Sequence, residues 1–209
     1  MKSYDAVIIG GGLLGCFASR ALSEYRISAA LFEAEEDVCK GVSRANTAIV
    51  YPSYDTAPGT IKTRLCVSGC NSFDLLCSEL GVDFNRCGSV MAAFGPRGLE
   101  VLRRKFERGI ENGVSGMALL SGRETASLEP SLHQSAAGGL YCSQTGTVIP
   151  WELGIAAFEN ARLNGVDFHF GERVLKITPS GEKYIIETCR ETYEAGAVIN
   201  CAGLFADEI

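Results

Sequence analysis

Six residues near the start, Gly10-Gly11-Gly12-Leu13-Leu14-Gly15, constrain this chain more than any other feature. They spell GxGxxG, a spacing that carries little weight alone in a chain with 24 glycines and much more at the junction of a strand and a helix. That junction is present. Ala6-Val7-Ile8-Ile9 is a short continuous apolar run, the pattern of a strand buried on both faces. Beyond the glycines Leu13, Leu14, Phe17, Ala18, Ala21 and Leu22 recur at helical spacing as far as Glu24, and a second buried run spans 28–32. Strand, turn, helix and strand thus follow one another in 33 residues, as in the first half of a dinucleotide-binding unit.

In such a unit the three glycines serve different ends. Gly10 makes the tight turn, Gly12 lets backbone approach a pyrophosphate, and Gly15 lets the helix pack on the strand. The helix N-terminus adds unpaired N–H groups and a positive dipole end, both suited to phosphate. Glu33 ends the second strand, where a carboxylate accepts the hydroxyls of an adenosine ribose and disfavours a 2'-phosphate, which argues against NADP. A Rossmann-like unit that binds no dinucleotide is the plain alternative.

A polar stretch follows over 35–60, too long for an idle connection and therefore read as a functional loop. Within it Ser43, Arg44 and Asn46 put three donors in four residues, fitting either solvated surface or a second clamp on a ligand. The pattern predicts helices over 61–80, 97–112 and 151–163, the last with Pro150 just before its start. The second of these places Leu99, Leu102, Phe106 and Ile110 on one face. Strands are expected over 84–94, 138–148, 166–170, 173–178, 184–188 and 197–201, with a turn at Pro179-Ser180-Gly181. The last strand delivers Ala202-Gly203, residues without bulk where backbone would meet a ligand.

Composition excludes several classes. A net charge of -6 leaves no basic surface for a phosphate backbone, and the basic stretch from Arg97 to Arg108 is broken by Glu100 and Glu107, so no nucleic-acid partner is expected. The run from Ala6 to Ala18 is interrupted by glycines and too short for a transmembrane span, and Asp5 argues against a secretory signal. Nine cysteines, odd in number and without a CxxC pair, read as reduced buried thiols of a cytoplasmic protein, with no metal site. Nothing specifies an oligomeric state. Arg64 and Arg86 read as surface.

Four stretches together carry a resemblance: YDAVIIGGGLLGCFASRAL, GVSRANTAIVYPSYDTAPGTIKTRL, GTVIPWELGIAAFENARLNGVDF and VINCAGLFADEI. They are similar to FAD-dependent oxidoreductases of the D-amino-acid oxidase superfamily, in the branch of glycerol-3-phosphate dehydrogenase-like proteins and L-2-hydroxyglutarate oxidases. The resemblance implies an α/β fold, a Rossmann-type parallel FAD-binding domain over 1–80 and 150–209, with an inserted, incomplete substrate-domain region over 81–149. It implies FAD at Gly10, Gly12, Gly15 and Glu33, flavin contacts from Ser43, Arg44 and Asn46, an adenine contact from the Val174 backbone, and contacts from Ala202 and Gly203.

It also implies oxidation of a small anionic substrate, a 2-hydroxy acid or polyol phosphate, by hydride transfer to the flavin. An amine or amino-acid oxidase of the same superfamily and a catalytically silent FAD-binding fragment are the alternatives, since relatives continue past the equivalent of Ile209. Where members of this branch commonly carry a His, a small residue and a Gly, this chain reads Tyr51-Pro52-Ser53, which makes Tyr51 the candidate catalytic residue. A phenol titrates near about 10 and an imidazole near about 6.5, so Tyr51 is a poor substitute as a base at neutral pH.

Overall fold

The computed structural model describes residues 1–133 and 135–209. The first elements are β1 (Lys2–Ile9), α1 (Leu13–Leu22), β2 (Ala29–Phe32), β3 (Ile49–Val50), α2 (Ile61–Leu80), β4 (Phe84–Asn85) and β5 (Ser89–Ala93). Next come α3 (Gly95–Glu111), β6 (Met117–Ser121), α4 (Gly122–Leu128), β7 (Gly138–Cys142) and β8 (Gly146–Val148). The chain continues through α5 (Pro150–Leu163), β9 (Asp167–His169), β10 (Val174–Ser180), β11 (Lys183–Thr188) and β12 (Thr192–Asn200). A single 3-10 turn, Gly203–Phe205, follows.

Two compact units result, one of residues 1–47, 80–82 and 149–209, the other of 48–79 and 83–148. The boundary therefore falls at 47/48, not at residue 80, and α2 belongs with the second unit. Its residues explain why. Val67 packs beside Leu102 and Leu140, Phe73 meets the Phe84 ring at 4.9 Å, and the Cys70 thiol donates to the Gln144 carbonyl at 3.3 Å.

In the first unit a six-stranded sheet runs in the order β10-β11-β12-β1-β2-β9. β12, β1, β2 and β9 are mutually parallel, and β10–β11 adds an antiparallel hairpin on the β12 side. The apolar run of β1 lies at the centre because both its faces are covered: Val7 and Ile9 join Phe32, Ile186 and Tyr193 on one side, while Ile8 is fully buried on the other. α1 packs against α5, whose Gly154, Ala157 and Ala161 form a small-residue stripe that admits close approach. The hairpin turns at Gly181 (φ +62°) and Glu182, one residue later than the sequence pattern placed it, because Pro179 and Ser180 still pair with Tyr184 and Lys183. β10 also carries an irregularity between Val174 and Lys176.

The second unit holds two three-stranded antiparallel sheets, β3-β8-β4 and β5-β7-β6, with α3 lying against β5, β6 and β7. Its core gathers Tyr54, Ala93, Leu102, Val114, Leu140 and Cys142. Of the face expected on α3, Leu102 is buried and Leu99 and Phe106 pack against the core, but Ile110 is 57% exposed. Gly109 takes the inward place, where a Cβ would strike the Met117 side chain.

β6 and α4 were not apparent from periodicity, although Ser121-Gly122-Arg123-Glu124 carries a capping box in which the Ser121 hydroxyl accepts from the Glu124 N–H. Arg86 is not a surface residue in the sense expected. It donates to Asp74 and, at 2.6 Å, to the Cys70 carbonyl, and reaches the Gln144 carbonyl as well, tying α2 to the strands. Arg64 is exposed. No helix among the described residues is long and apolar enough to cross a membrane.

Because Arg86→Ala strips the donors from two backbone carbonyls, it should cost about 2–3 kcal/mol of stability. Urea unfolding monitored by circular dichroism checks this; an unchanged midpoint would mean that water replaces the guanidinium without loss.

Candidate functional site

The carboxyl ends of β12, β1 and β2 lie side by side in the first unit, and the strand order departs in opposite directions from β1. That is where open parallel sheets of this kind bind ligands. The glycine turn sits here and its geometry leaves little choice of residue. Gly10 has φ +100°, and a Cβ on it would lie 2.5 Å from the Cys201 carbonyl oxygen. A Cβ on Gly15 would overlap the Gly10 carbonyl oxygen, so α1 and β1 meet only because side chains are absent. Gly12 caps α1 in extended conformation, and a Cβ there would meet only the Ser43 hydroxyl, at 3.2 Å.

Glu33 stands over this turn. Its Oε2 accepts the Gly11 N–H at 2.5 Å and its Oε1 the Glu35 N–H at 2.9 Å. A carboxylate has about four acceptor positions, so lone pairs remain for further donors. The Ser43 hydroxyl accepts the Leu13 N–H at 2.9 Å, which brings the middle of the long loop to the first turn of α1. No acidic residue stands in that turn to repel an anion.

Asn46 closes the same loop by donating to the Val42 and Ser43 carbonyls at 3.2 and 3.0 Å, and Arg44 is exposed beside it. Ala202 lies against Gly10, since its Cα is 3.0 Å from where a Gly10 Cβ would be. Its N–H donates to Asn200 at 3.1 Å, and Gly203 adopts φ +60° with open space around it. Val174 starts β10 two residues after Glu172, whose N–H donates to the Glu33 carbonyl at 2.9 Å. Ten candidate positions from residue 10 to residue 203 thus belong to the first unit, and Tyr51 belongs to the second.

The sequence reading missed what lies behind the turn. The Gly11 carbonyl accepts from the Cys39 N–H at 2.9 Å and from the Cys16 thiol at 3.5 Å. The neighbouring Cys39 thiol together with burial pushes the Cys16 thiol well above its ordinary range. Cys39 holds φ +60°, and its sulfur fills the space that Gly154 of α5 leaves. No spacing rule relates these residues.

The family model for the FAD dependent oxidoreductase, DAO, matches residues 5–209. The chain belongs to this family. It is 40% identical over 206 residues to a glycerol 3-phosphate dehydrogenase of Caloramator mitchellensis, covering 99% of this chain and 43% of that protein. It is 27% identical over 222 residues to the human mitochondrial L-2-hydroxyglutarate dehydrogenase, covering 100% of this chain and 48% of that one. The chain thus spans about half the length of the curated relatives it matches. Among solved structures, the dithionite-reduced L-alpha-glycerophosphate oxidase of Mycoplasma pneumoniae, with FAD bound, superposes with a TM-score of 0.93 at 24% identity, over 99% of this chain and 56% of that one. Glycine oxidase of Geobacillus kaustophilus gives 0.91 at 23%, over 100% and 57%. These likenesses establish the fold, a Rossmann-type parallel α/β domain.

The residues present fit the cofactor of the family: a turn whose Gly10 and Gly15 admit no Cβ, a helix N-terminus without acids, and a carboxylate with acceptor positions to spare. Since a Cβ at Gly12 meets only a flexible hydroxyl, Gly12→Asp should fold yet lose FAD, because a carboxylate would fill the approach and add like charge. Equilibrium dialysis against FAD, with a thermal melt as the folding control, tests this; retained affinity in the folded variant would remove Gly12 from the site.

Proposed function

We propose that the protein oxidises a 2-hydroxy acid or a glycerol-3-phosphate-like polyol phosphate, with FAD held by Gly10, Gly12, Gly15 and Glu33 of the first unit. The observation that supports the cofactor site is the glycine turn with Glu33 above it: Gly10 and Gly15 admit no Cβ, and the carboxylate that takes the Gly11 N–H keeps acceptor positions for further donors. The names of two relatives support the substrate class, a glycerol 3-phosphate dehydrogenase at 40% identity and an L-2-hydroxyglutarate dehydrogenase at 27%.

When bound, FAD supplies a hydride acceptor, and the chain's share is binding, orientation and management of the substrate proton. In this reading the α1 N-terminus and Ser43 face the pyrophosphate, Glu33 accepts the ribose hydroxyls, and Ala202 and Gly203 let backbone come close. Arg44 and Asn46 belong to the loop that Ser43 anchors, and the Val174 backbone serves adenine. Tyr51 is the residue we assign to the substrate proton. Nine free cysteines favour a reducing, cytoplasmic setting.

Glu33→Gln should weaken FAD binding at least tenfold, because it removes charge-assisted bonds to the ribose, and should lower the melting temperature more with FAD present than without it, the smaller FAD-free loss arising because an amide NH2 would face the Gly11 or the Glu35 N–H. An equal drop in melting temperature with and without FAD would make Glu33 structural. For the reaction itself, the FAD-loaded protein is mixed anaerobically with glycerol 3-phosphate, L-2-hydroxyglutarate and a panel of amino acids. Bleaching of the oxidised flavin by one of the two alcohols is expected; bleaching by an amino acid alone would replace this reading with an amino-acid oxidase.

A further inference from the structure

A carboxylate can be aimed only from a backbone that is itself held, and one segment of the first unit holds Glu33 at both ends. The Glu33 N–H donates to the His169 carbonyl and the Glu172 N–H donates to the Glu33 carbonyl, each at 2.9 Å. The Gly171 N–H donates to the Glu35 carbonyl at 2.7 Å, and Glu35 is the residue whose own N–H Glu33 Oε1 accepts. The corner between β9 and β10 therefore sets where Glu33 stands.

Glu172 fixes that corner. It is 3% exposed, and its Oε1 accepts the Tyr193 phenol of β12 at 2.9 Å and the Thr188 hydroxyl of β11 at 2.7 Å. Its Oε2 lies 3.3 Å from His169 Nδ1. The other ring nitrogen, Nε2, is 3.1 Å from Tyr4 Oη of β1, and the ring stacks at 4.5 Å on Phe32, the residue before Glu33. Burial, and then the Glu172 carboxylate, hold the Tyr193 phenol above its ordinary range, so it stays a donor. Taking a carboxylate out of water is costly even when it is partnered, and an apolar side chain of similar volume would pack these strands as well or better. What the carboxylate adds is direction: β9, β11 and β12 meet on a residue whose backbone is bonded to Glu33. All of these groups belong to the first unit.

We propose that Glu172 is a positioning residue for the cofactor site: anchored by Tyr193, Thr188 and His169, it holds the Glu33 backbone so that the Glu33 carboxylate meets the adenosine ribose. The proposal rests on the assignment of the ribose to Glu33 made above. A binding group has to be held within about 0.5 Å of its productive place, and residues behind it supply that precision. The role needs acceptor oxygen rather than charge. A glutamine keeps one oxygen for Tyr193 and Thr188 and turns its NH2 to His169 Nδ1, which accepts in one neutral tautomer. An alanine leaves both hydroxyls without their acceptor and lets the corner shift.

The test is a double-mutant cycle of FAD affinity, measured on the full chain by equilibrium dialysis with a thermal melt as the folding control. Glu172→Ala should weaken FAD about fivefold or more, a size usual for residues of one hydrogen-bonded network. In a Glu33→Gln background the same change should weaken it no further, because the charge-assisted bonds that it would misalign are already gone. Glu172→Gln should bind FAD like the wild type. Tyr193→Phe and Thr188→Val each take one hydroxyl from the carboxylate and should repeat the non-additive pattern at smaller size, which decides the matter if the alanine variant does not fold. A penalty of equal size in both backgrounds would mean a general loosening of the unit and would overturn the positioning role while Glu33 kept the ribose. Wild-type affinity in a folded Glu172→Ala protein, or a glutamine no better than alanine, would overturn it as well. If Glu33→Gln leaves FAD affinity unchanged, the ribose assignment and the positioning role fall together.

Discussion

The first unit depends on one close approach, the passage of the α1 backbone at Gly15 over the Gly10 carbonyl oxygen. It sets the angle at which the helix leaves the strand, and with it the direction of the helix N-terminus. Forcing even one methyl group into a packed contact costs about 1–3 kcal/mol, and here the obstacle is backbone, which cannot step aside. Segments remote in sequence then register against the same turn: Glu33 takes the Gly11 N–H, Ser43 the Leu13 N–H, Cys39 the Gly11 carbonyl, and Cys201 packs beside Gly10. The turn is held on every side by groups of its own unit, so its shape is set by the fold.

Much of the first unit was legible because its elements are long or strongly patterned. The β1–α1–β2 series has the apolar runs and glycine punctuation that local sterics demand; in the second unit, α2 occupies 61–80 as its periodicity indicates. β12 starts at Thr192, five residues before its apolar core, because its first half pairs with β11 and β1 through residues of mixed character. The strand signals of the second unit are short. β3 and β4 have two residues each, so no alternation can develop, and their existence depends on β8 arriving between them. Arg86 looked solvent-facing because nothing in the local sequence reveals that two carbonyls, 16 and 58 residues away, converge on it.

The candidate site was legible in the same uneven way. Glycines and Glu33 follow from a spacing rule with a mechanism, and the structure gathers them with Ser43 and Ala202. Tyr51 stood out as a departure from a pattern, but its hydrogen bond to Asp55, which Lys105 of α3 also reaches from 50 residues beyond Asp55, was not legible. A phenol and a carboxylate four residues apart in a loop carry no periodicity to mark them, and only the fold makes them one group.

The sheet of the first unit also guards its margins. One outer strand, β9, has three residues, and the other, β10, carries an irregularity after Val174, a lysine at 176 and a proline at 179. An outermost strand that is long, flat and apolar is a template on which a second molecule can continue the ladder. Here one margin is too short to recruit a neighbour, and the other is bent, charged and lacks an N–H at Pro179. The four parallel strands that carry the glycine turn are therefore kept from stacking edge to edge at high concentration, as when newly made chains crowd together.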